Sequence, residues 1–185
     1  MSVKYKHSNV YSMYFCTFTC FNWLPLIETT KSYDLVYNWF GLLKEVKTDI
    51  VAYVIMPNHL HCILHFPGAD FDLNKVIGNA KRFMAYEIVK RLKENEIKIL
   101  ELLEAAVTER EKKKGQLHKV FINPFDAKPI FSDKFLIQKL DYIHHNPVSG
   151  KWQLAKDFIA YDHSSASFYE EGIVKHFLPV HFRDL

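Results

Sequence analysis

No apolar run in this sequence approaches the roughly 20 residues that a membrane-spanning helix requires, so no transmembrane span is expected. The first stretch, MSVKYKHSNVYSMYF, holds no apolar segment followed by a small-residue cleavage site, which argues against a secretory leader. Cysteine is scarce. Cys16, Cys20 and Cys62 are an odd number without the spacing of a metal knuckle, and they read as small buried residues in a reducing cytoplasm. No internal repeat or low-complexity linker is visible. A large excess of one charge is missing too: 24 Lys and Arg stand against 21 Asp and Glu, a net of +3.

The chain does have apolar residues in quantity. They make up 49% of 185 positions, enough for the buried core of one domain and against disorder along most of the length. The small net charge is unevenly placed. Residues 1–74 carry 5 basic against 6 acidic side chains, residues 75–128 carry 13 against 8, and residues 129–185 carry 6 against 7. A positive middle segment suits contact with phosphate, although a solvated helix face would show the same excess.

Along the chain, VYSMYFCTFTCFNW (10–23) is rich in aromatic and β-branched residues and reads as a first strand. Tyr33, Val36, Tyr37, Phe40, Leu43 and Val46 recur at helical spacing over 30–47. DIVAYVIM (49–56) is nearly continuous apolar sequence, as in a central strand covered on both faces. After the Pro57-Asn58 turn signal comes a third strand, 59–66. A second long helix spans 72–94, with Asp72 placed to cap it. Residues 97–115 look like a charged, weakly amphipathic helix ending in a basic run, so 97–118 forms an extra segment. Two prolines break 119–131 into a short or irregular strand. A third helix, 133–146, is ended by Pro147, because a residue before proline is pushed from helical geometry. Mixed sequence follows, with a short tail over about 170–185. This order predicts a single α+β domain: a βαββαβ antiparallel sheet with helices on one face, plus an extra helix and a C-terminal extension. The opposite face is expected to be open.

Side chains alternate across a strand, so Leu60, Cys62, Leu64 and Phe66 make an apolar face while His59, His61, Ile63 and His65 point the other way. Two imidazoles at i and i+2 on a rigid strand can hold one divalent ion; half-exposed strand histidines with no ligand would look alike. His65 lies roughly 6.6 Å beyond His61 along an ideal strand and is not counted as a ligand. On the third helix, Tyr142 and Asn146 are four residues apart and share a face, beside an apolar stripe of Leu136, Leu140 and Ile143. Tyrosine, with a reference pKa of about 10, becomes a useful nucleophile where a metal polarises the electrophile. The Asn146 carboxamide offers such a metal a neutral oxygen, which hard cations accept. His144 and His145 read as surface or DNA-facing residues with no firm role. A helix-end asparagine and a packing tyrosine are the plainer alternative.

YVIMPNHLHCIL followed much later by YIHHNPVSGKW resembles the HUH single-tyrosine transposases, in particular the REP-associated group. His59-Leu60-His61 matches the His-hydrophobic-His signature, and Tyr142, Ile143, Asn146 and Pro147 match a Tyr-Ile-x-x-Asn-Pro motif. YFCTFTCFNW and AYDHSSASFY resemble the family's first strand and its Ser-Ser-Ala segment. Relatives often carry a Trp-Gln pair where this chain has Phe121-Ile122. The resemblance implies a ferredoxin-like fold, a Mg²⁺ or Mn²⁺ held by His59, His61 and Asn146, and a transient 5′-phosphotyrosine on Tyr142. It implies single-stranded or hairpin DNA as the partner, no membrane, and leaves a homodimer open. Lys75, Lys81, Arg82, Lys112, Lys113 and Lys114 are the candidate phosphate contacts. Two rival readings remain: a domesticated protein that binds hairpin DNA without cutting, and a phosphoester hydrolase using His59, His61 and a metal with water as nucleophile.

Overall fold

The structure is a computed structural model that describes residues 11–68, 70–95 and 97–185. Four strands form one antiparallel sheet in the order β2-β3-β1-β4: β1 (Met13–Thr19), β2 (Asp49–Met56), β3 (His59–His65) and β4 (Asp126–Pro129). A single helical turn, α1 (Leu26–Thr29), and the helix α2 (Tyr33–Glu45) join β1 to β2, and α3 (Leu73–Asn95) begins the crossover to β4. This is the βαββαβ arrangement expected.

The two faces of the sheet follow from alternation. Tyr14, Cys16 and Phe18 of β1 with Leu60, Cys62 and Leu64 of β3 face α2 and α3. α2 meets them with Val36, Trp39, Phe40 and Leu43, and α3 with Leu73, Ile77, Met84 and Ile88, both at helical spacing. As expected, Asp72 caps α3, its Oδ1 accepting from the Lys75 backbone N–H at 3.0 Å. β2 carries a bulge: Ile50 pairs with Leu64 and Ala52 with Ile63, leaving Val51 as the extra residue. Beyond it Tyr53 and Ile55 point at the α2/α3 core, while Ala52, Val54 and Met56 point away.

The second face is not open. A helix over Asp133–His145 lies across it and buries Leu136, Leu140 and Ile143 against Phe15, Val54, Met56 and Ile63. The expectation failed because strand alternation shows which side chains share a face but not what covers it. The charged segment before β4, expected as one helix, is two, α4 (Ile97–Ala105) and α5 (Glu109–Lys112), which makes the covering helix α6. The break between α4 and α5 is chemical: Thr108 and Glu111 form a capping box that starts a new helix.

Ser132 starts α6, accepting from the Phe135 N–H at 3.3 Å. The helix passes into a 3₁₀ turn at Asn146–Val148, yet Asn146 keeps helical angles, φ −52° and ψ −42°. Pro147 therefore ends the regular helix without displacing Asn146 from the turn that Tyr142 begins. After α6 the chain runs along the outer edge of β2. The Ile55 N–H donates to the His163 carbonyl at 2.8 Å, and the Ser165 N–H to the Tyr53 carbonyl at 3.0 Å. The short helix α7 (Ala166–Glu171) follows, and the last residues dock against the body: Phe177 packs on the core and the Val180 N–H donates to the Ile50 carbonyl.

Candidate active site

β3 and α6 bring the four sequence-predicted residues together. The His59 and His61 rings lie 4.7 Å apart, centroid to centroid. His59 Nε2 is 3.2 Å from Asn146 Oδ1, and His61 Nε2 is 3.4 Å from the Tyr142 hydroxyl. The Tyr142 side chain is 47% exposed, whereas His59 and His61 are only 4% and 5% exposed. These imidazoles form the buried floor of the site and do not lie on the open sheet face expected. The tyrosine is its accessible edge.

Each imidazole is held from behind. Asn58 donates its Nδ2 to the Trp23 carbonyl at 2.9 Å, which turns its Oδ1 toward His59 Nδ1 at 2.7 Å. Asn58 Oδ1 can only accept, so His59 carries its proton on Nδ1 and presents the Nε2 lone pair to the Asn146 side. His61 Nδ1 meets Thr17 Oγ1 at 2.8 Å, its direct partner in the β1–β3 register, and the His61 ring stacks on Phe15 at 5.3 Å. Burial pushes the His59 pKa down to about 4, with the Asn146 contact a smaller opposing influence. Burial, the neighbouring His59 and Lys139 lower that of His61. Both rings are neutral near pH 7, the form in which an imidazole ligates a metal.

The donor set fits a divalent cation. The two imidazole rings are neighbours, and the Asn146 carboxamide oxygen reaches His59 Nε2. The 3.2 Å between His59 Nε2 and Asn146 Oδ1 is close to the roughly 3 Å that separates adjacent ligands of one small octahedral ion. Among the described residues there is no cluster of three His, Cys, Asp or Glu side chains suited to a metal, so a third protein donor beside the two imidazoles would be a neutral oxygen such as that of Asn146. Three neutral donors bring no negative charge to it.

Sequence reasoning missed Lys139. Its ammonium sits 5.4 Å from the Tyr142 ring centroid, 4.8 Å from Phe15 and 5.2 Å from Phe135. Burial and the nearby Lys128 lower its pKa, partly opposed by Asp126. Its position three residues before Tyr142, on the same helical face, was the available signal. Thr17 and Asn58 were missed because their roles depend on strand register and turn geometry. His144 was misread: it is buried, with Nε2 3.0 Å from Ser165 Oγ, and burial lowers its pKa to about 4. His145 is half-buried and pairs with Asp141 at 3.1 Å. His65 stands at the far end of β3, paired with Asp49 at 3.0 Å.

The structure does not gather the basic candidates around Tyr142. Lys75, Lys81 and Arg82 are on α3, against the opposite face of the sheet, and Lys112, Lys113 and Lys114 belong to α5 and the turn after it. Lys81 is not an exposed cation: it is 8% exposed, and its ammonium donates to the Ile122 carbonyl and Asn123 Oδ1, both at 2.7 Å. Lys112 pairs with Glu109 at 3.0 Å.

No family model and no curated protein sequence matches this chain. Among solved structures, a REP-associated tyrosine transposase bound to a REP hairpin superposes with a TM-score of 0.60 at 20% identity, over 97% of this chain and 93% of that one. The chain has the fold of a tyrosine transposase. A more distant structure, from Deinococcus radiodurans R1 and provisionally named a transposase, shares 13% identity over 71% of this chain and 87% of its own, with a TM-score of 0.38. The transposase fold extends over nearly the whole chain, from β1 to the docked C-terminal residues. No helix among the described residues is long and apolar enough to cross a membrane.

Proposed function

We propose that this protein is an HUH single-tyrosine transposase that cleaves and rejoins single-stranded DNA, at or beside a hairpin, with Tyr142 as nucleophile. One observation carries the reading: Tyr142 Oη lies 3.4 Å from His61 Nε2 while Asn146 Oδ1, one helical turn on, lies 3.2 Å from His59 Nε2. A nucleophile thus borders a neutral N,N,O donor set, in a fold shared with a hairpin-bound tyrosine transposase.

His59, His61 and Asn146 would hold Mg²⁺ or Mn²⁺. When bound, it supplies Lewis-acid polarisation of the scissile phosphate and offsets charge developing there. α6 aims the Tyr142 oxygen, and the packing of Leu136, Leu140 and Ile143 fixes that aim. Attack forms an Oη–phosphorus bond and breaks the phosphorus–O3′ bond. The tyrosine proton leaves to solvent at the exposed edge, and the departing 3′-oxygen takes one up. One phosphodiester replaces another, so a free 3′-hydroxyl reverses the reaction without ATP or water. The Lys139 ammonium adds positive charge on the nucleophile's flank.

The test is covalent attachment. A single-stranded oligonucleotide labelled at its 3′ end, drawn from the sequence flanking the gene, is incubated with protein and Mg²⁺ or Mn²⁺. A denaturing gel should show a labelled protein adduct that chelator prevents and Tyr142→Phe lacks. An adduct on the phenylalanine variant overturns the nucleophile. Product release without any adduct would favour the hydrolase, and binding with neither would favour the hairpin-binding protein.

A further inference from the structure

A groove of about 720 Å³ lies on the side of the sheet away from Tyr142, between α3 and the segment 114–125. Its lining includes Lys81, Arg82, Lys90, Lys93 and Lys114, and no Asp or Glu is among the described residues that line it. Its floor is apolar, with Ala85, Val89, Val120 and Phe121. Tyr86 stands at the groove and is 64% exposed. Together with the apolar floor the Tyr86 ring makes one contiguous apolar surface, the kind of patch that marks an interaction site.

Lys81 gives the groove its sign. Its side chain is more than nine-tenths buried, and its ammonium donates to two neutral acceptors, the Ile122 carbonyl and Asn123 Oδ1. A buried cation held by neutral acceptors is costly, and an anion in the groove would offset that cost. Lys90 and Lys93 lie along the outer side of α3, and Lys114 closes the rim from the opposite wall. Lys90 reaches Glu87 only at 3.9 Å, and both side chains are exposed. A positive rim above an apolar floor and an exposed ring is the combination that recognises a phosphate chain bearing flat, unpaired bases. A duplex keeps its bases stacked inward and would leave the ring and floor unused. The volume suits a ligand the size of about two nucleotides.

We propose that this groove is a second, non-cleaving site for unpaired nucleotides, with a base on Tyr86 and the apolar floor and the adjoining phosphates on Lys90, Lys93 and Lys114. The proposal rests on DNA as the substrate but not on the tyrosine chemistry. A strand held in the groove and also at Tyr142 must pass around an edge of the sheet, so the groove selects substrates with single-stranded length beyond the cleavage point.

The test is equilibrium binding of fluorescent oligothymidylate to full-length Tyr142→Phe protein, which reads binding without cleavage. Tyr86→Ala should weaken binding about tenfold, the usual loss for one stacked base, while Tyr86→Phe restores it. Lys90→Ala with Lys93→Ala should flatten the slope of log affinity against log salt by about 1.4, or about 0.7 for each phosphate no longer neutralised. A blunt hairpin stem without overhangs should bind all of these variants alike. Unchanged oligothymidylate affinity in Tyr86→Ala, or an equal loss for the blunt stem, overturns the proposal. Because Tyr86 is exposed, thermal melting should be unaltered; a variant with lowered melting temperature is replaced by Lys93→Glu, where unchanged affinity has the same meaning. An absent adduct in the cleavage assay with these losses intact would refute the transposase reading and leave the groove standing.

Discussion

The two faces of one sheet have been put to different uses. Under α2 and α3, β3 contributes Leu60, Cys62 and Leu64, which join an apolar core. Under α6, the same strand contributes Ile63 to a smaller core, then His61 and His59 to the site. Both faces are buried. The first gains stability from burial. The second uses burial to keep two imidazoles neutral and fixed, and polar partners behind them offset the desolvation. A site of this kind requires a cover on the sheet, and α6 supplies both the cover and Tyr142, the proposed nucleophile.

The largest test of this contrast is Tyr142→Phe together with chelation. Each should reduce covalent attachment below detection, while the variant's stability stays within about 1 kcal/mol because its ring is half exposed. Unfolding measured by denaturant titration checks the second half of that statement. Next is the apolar face. Leu64→Ala should cost about 2–5 kcal/mol of stability, whereas His61→Ala should cost less, about 1–3 kcal/mol, from removal of the Thr17 bond and the Phe15 stacking. Equal losses would mean that both faces serve mainly as core.

A smaller effect is expected at Lys139. Lys139→Met keeps much of the stem packing on Phe15 and Phe135 but removes the charge, and it should slow attachment roughly ten- to a hundredfold with DNA affinity changed far less. Single-turnover rates at saturating DNA separate the two. The smallest effect is on pH. His59 and His144 have folded pKa values near 4, below the ordinary 6.5, because burial disfavours the cation. The unfolded chain therefore protonates first, so their contribution to stability is complete above about pH 6.5 and is lost as pH falls toward 4. Melting temperature against pH should bend downward in that window, and less so in a His144→Gln variant.

Sequence legibility divides along the same line. β2 and β3 could be read almost to the residue because a continuous apolar run and strict alternation are local signals. Tyr142 and Asn146 could be paired because four residues on a helix lie near one another. What could not be read was tertiary. Nothing in HLHCILH reports that a helix lies above it, and nothing in Lys81 distinguishes a surface cation from a buried one bonded to a carbonyl 41 residues away. The break at Thr108 was legible in principle, since Thr-x-x-Glu marks a helix start, but the surrounding run of charged residues masked it.

The segment that runs beside β2 has a further consequence. Strands at the margin of a sheet tend to recruit strands from other molecules. Here the outer carbonyls of β2 are occupied: Tyr53 accepts from Ser165, Ile55 from the Tyr161 hydroxyl, Val51 from the Tyr169 hydroxyl and Ile50 from Val180. At the other margin β4 is only four residues long, with Asp126 and Lys128 exposed and Pro129 at its end. One margin is capped by the chain itself and the other is short, charged and proline-terminated. Among the described residues, both margins of the sheet thus carry features that disfavour edge-to-edge polymerisation.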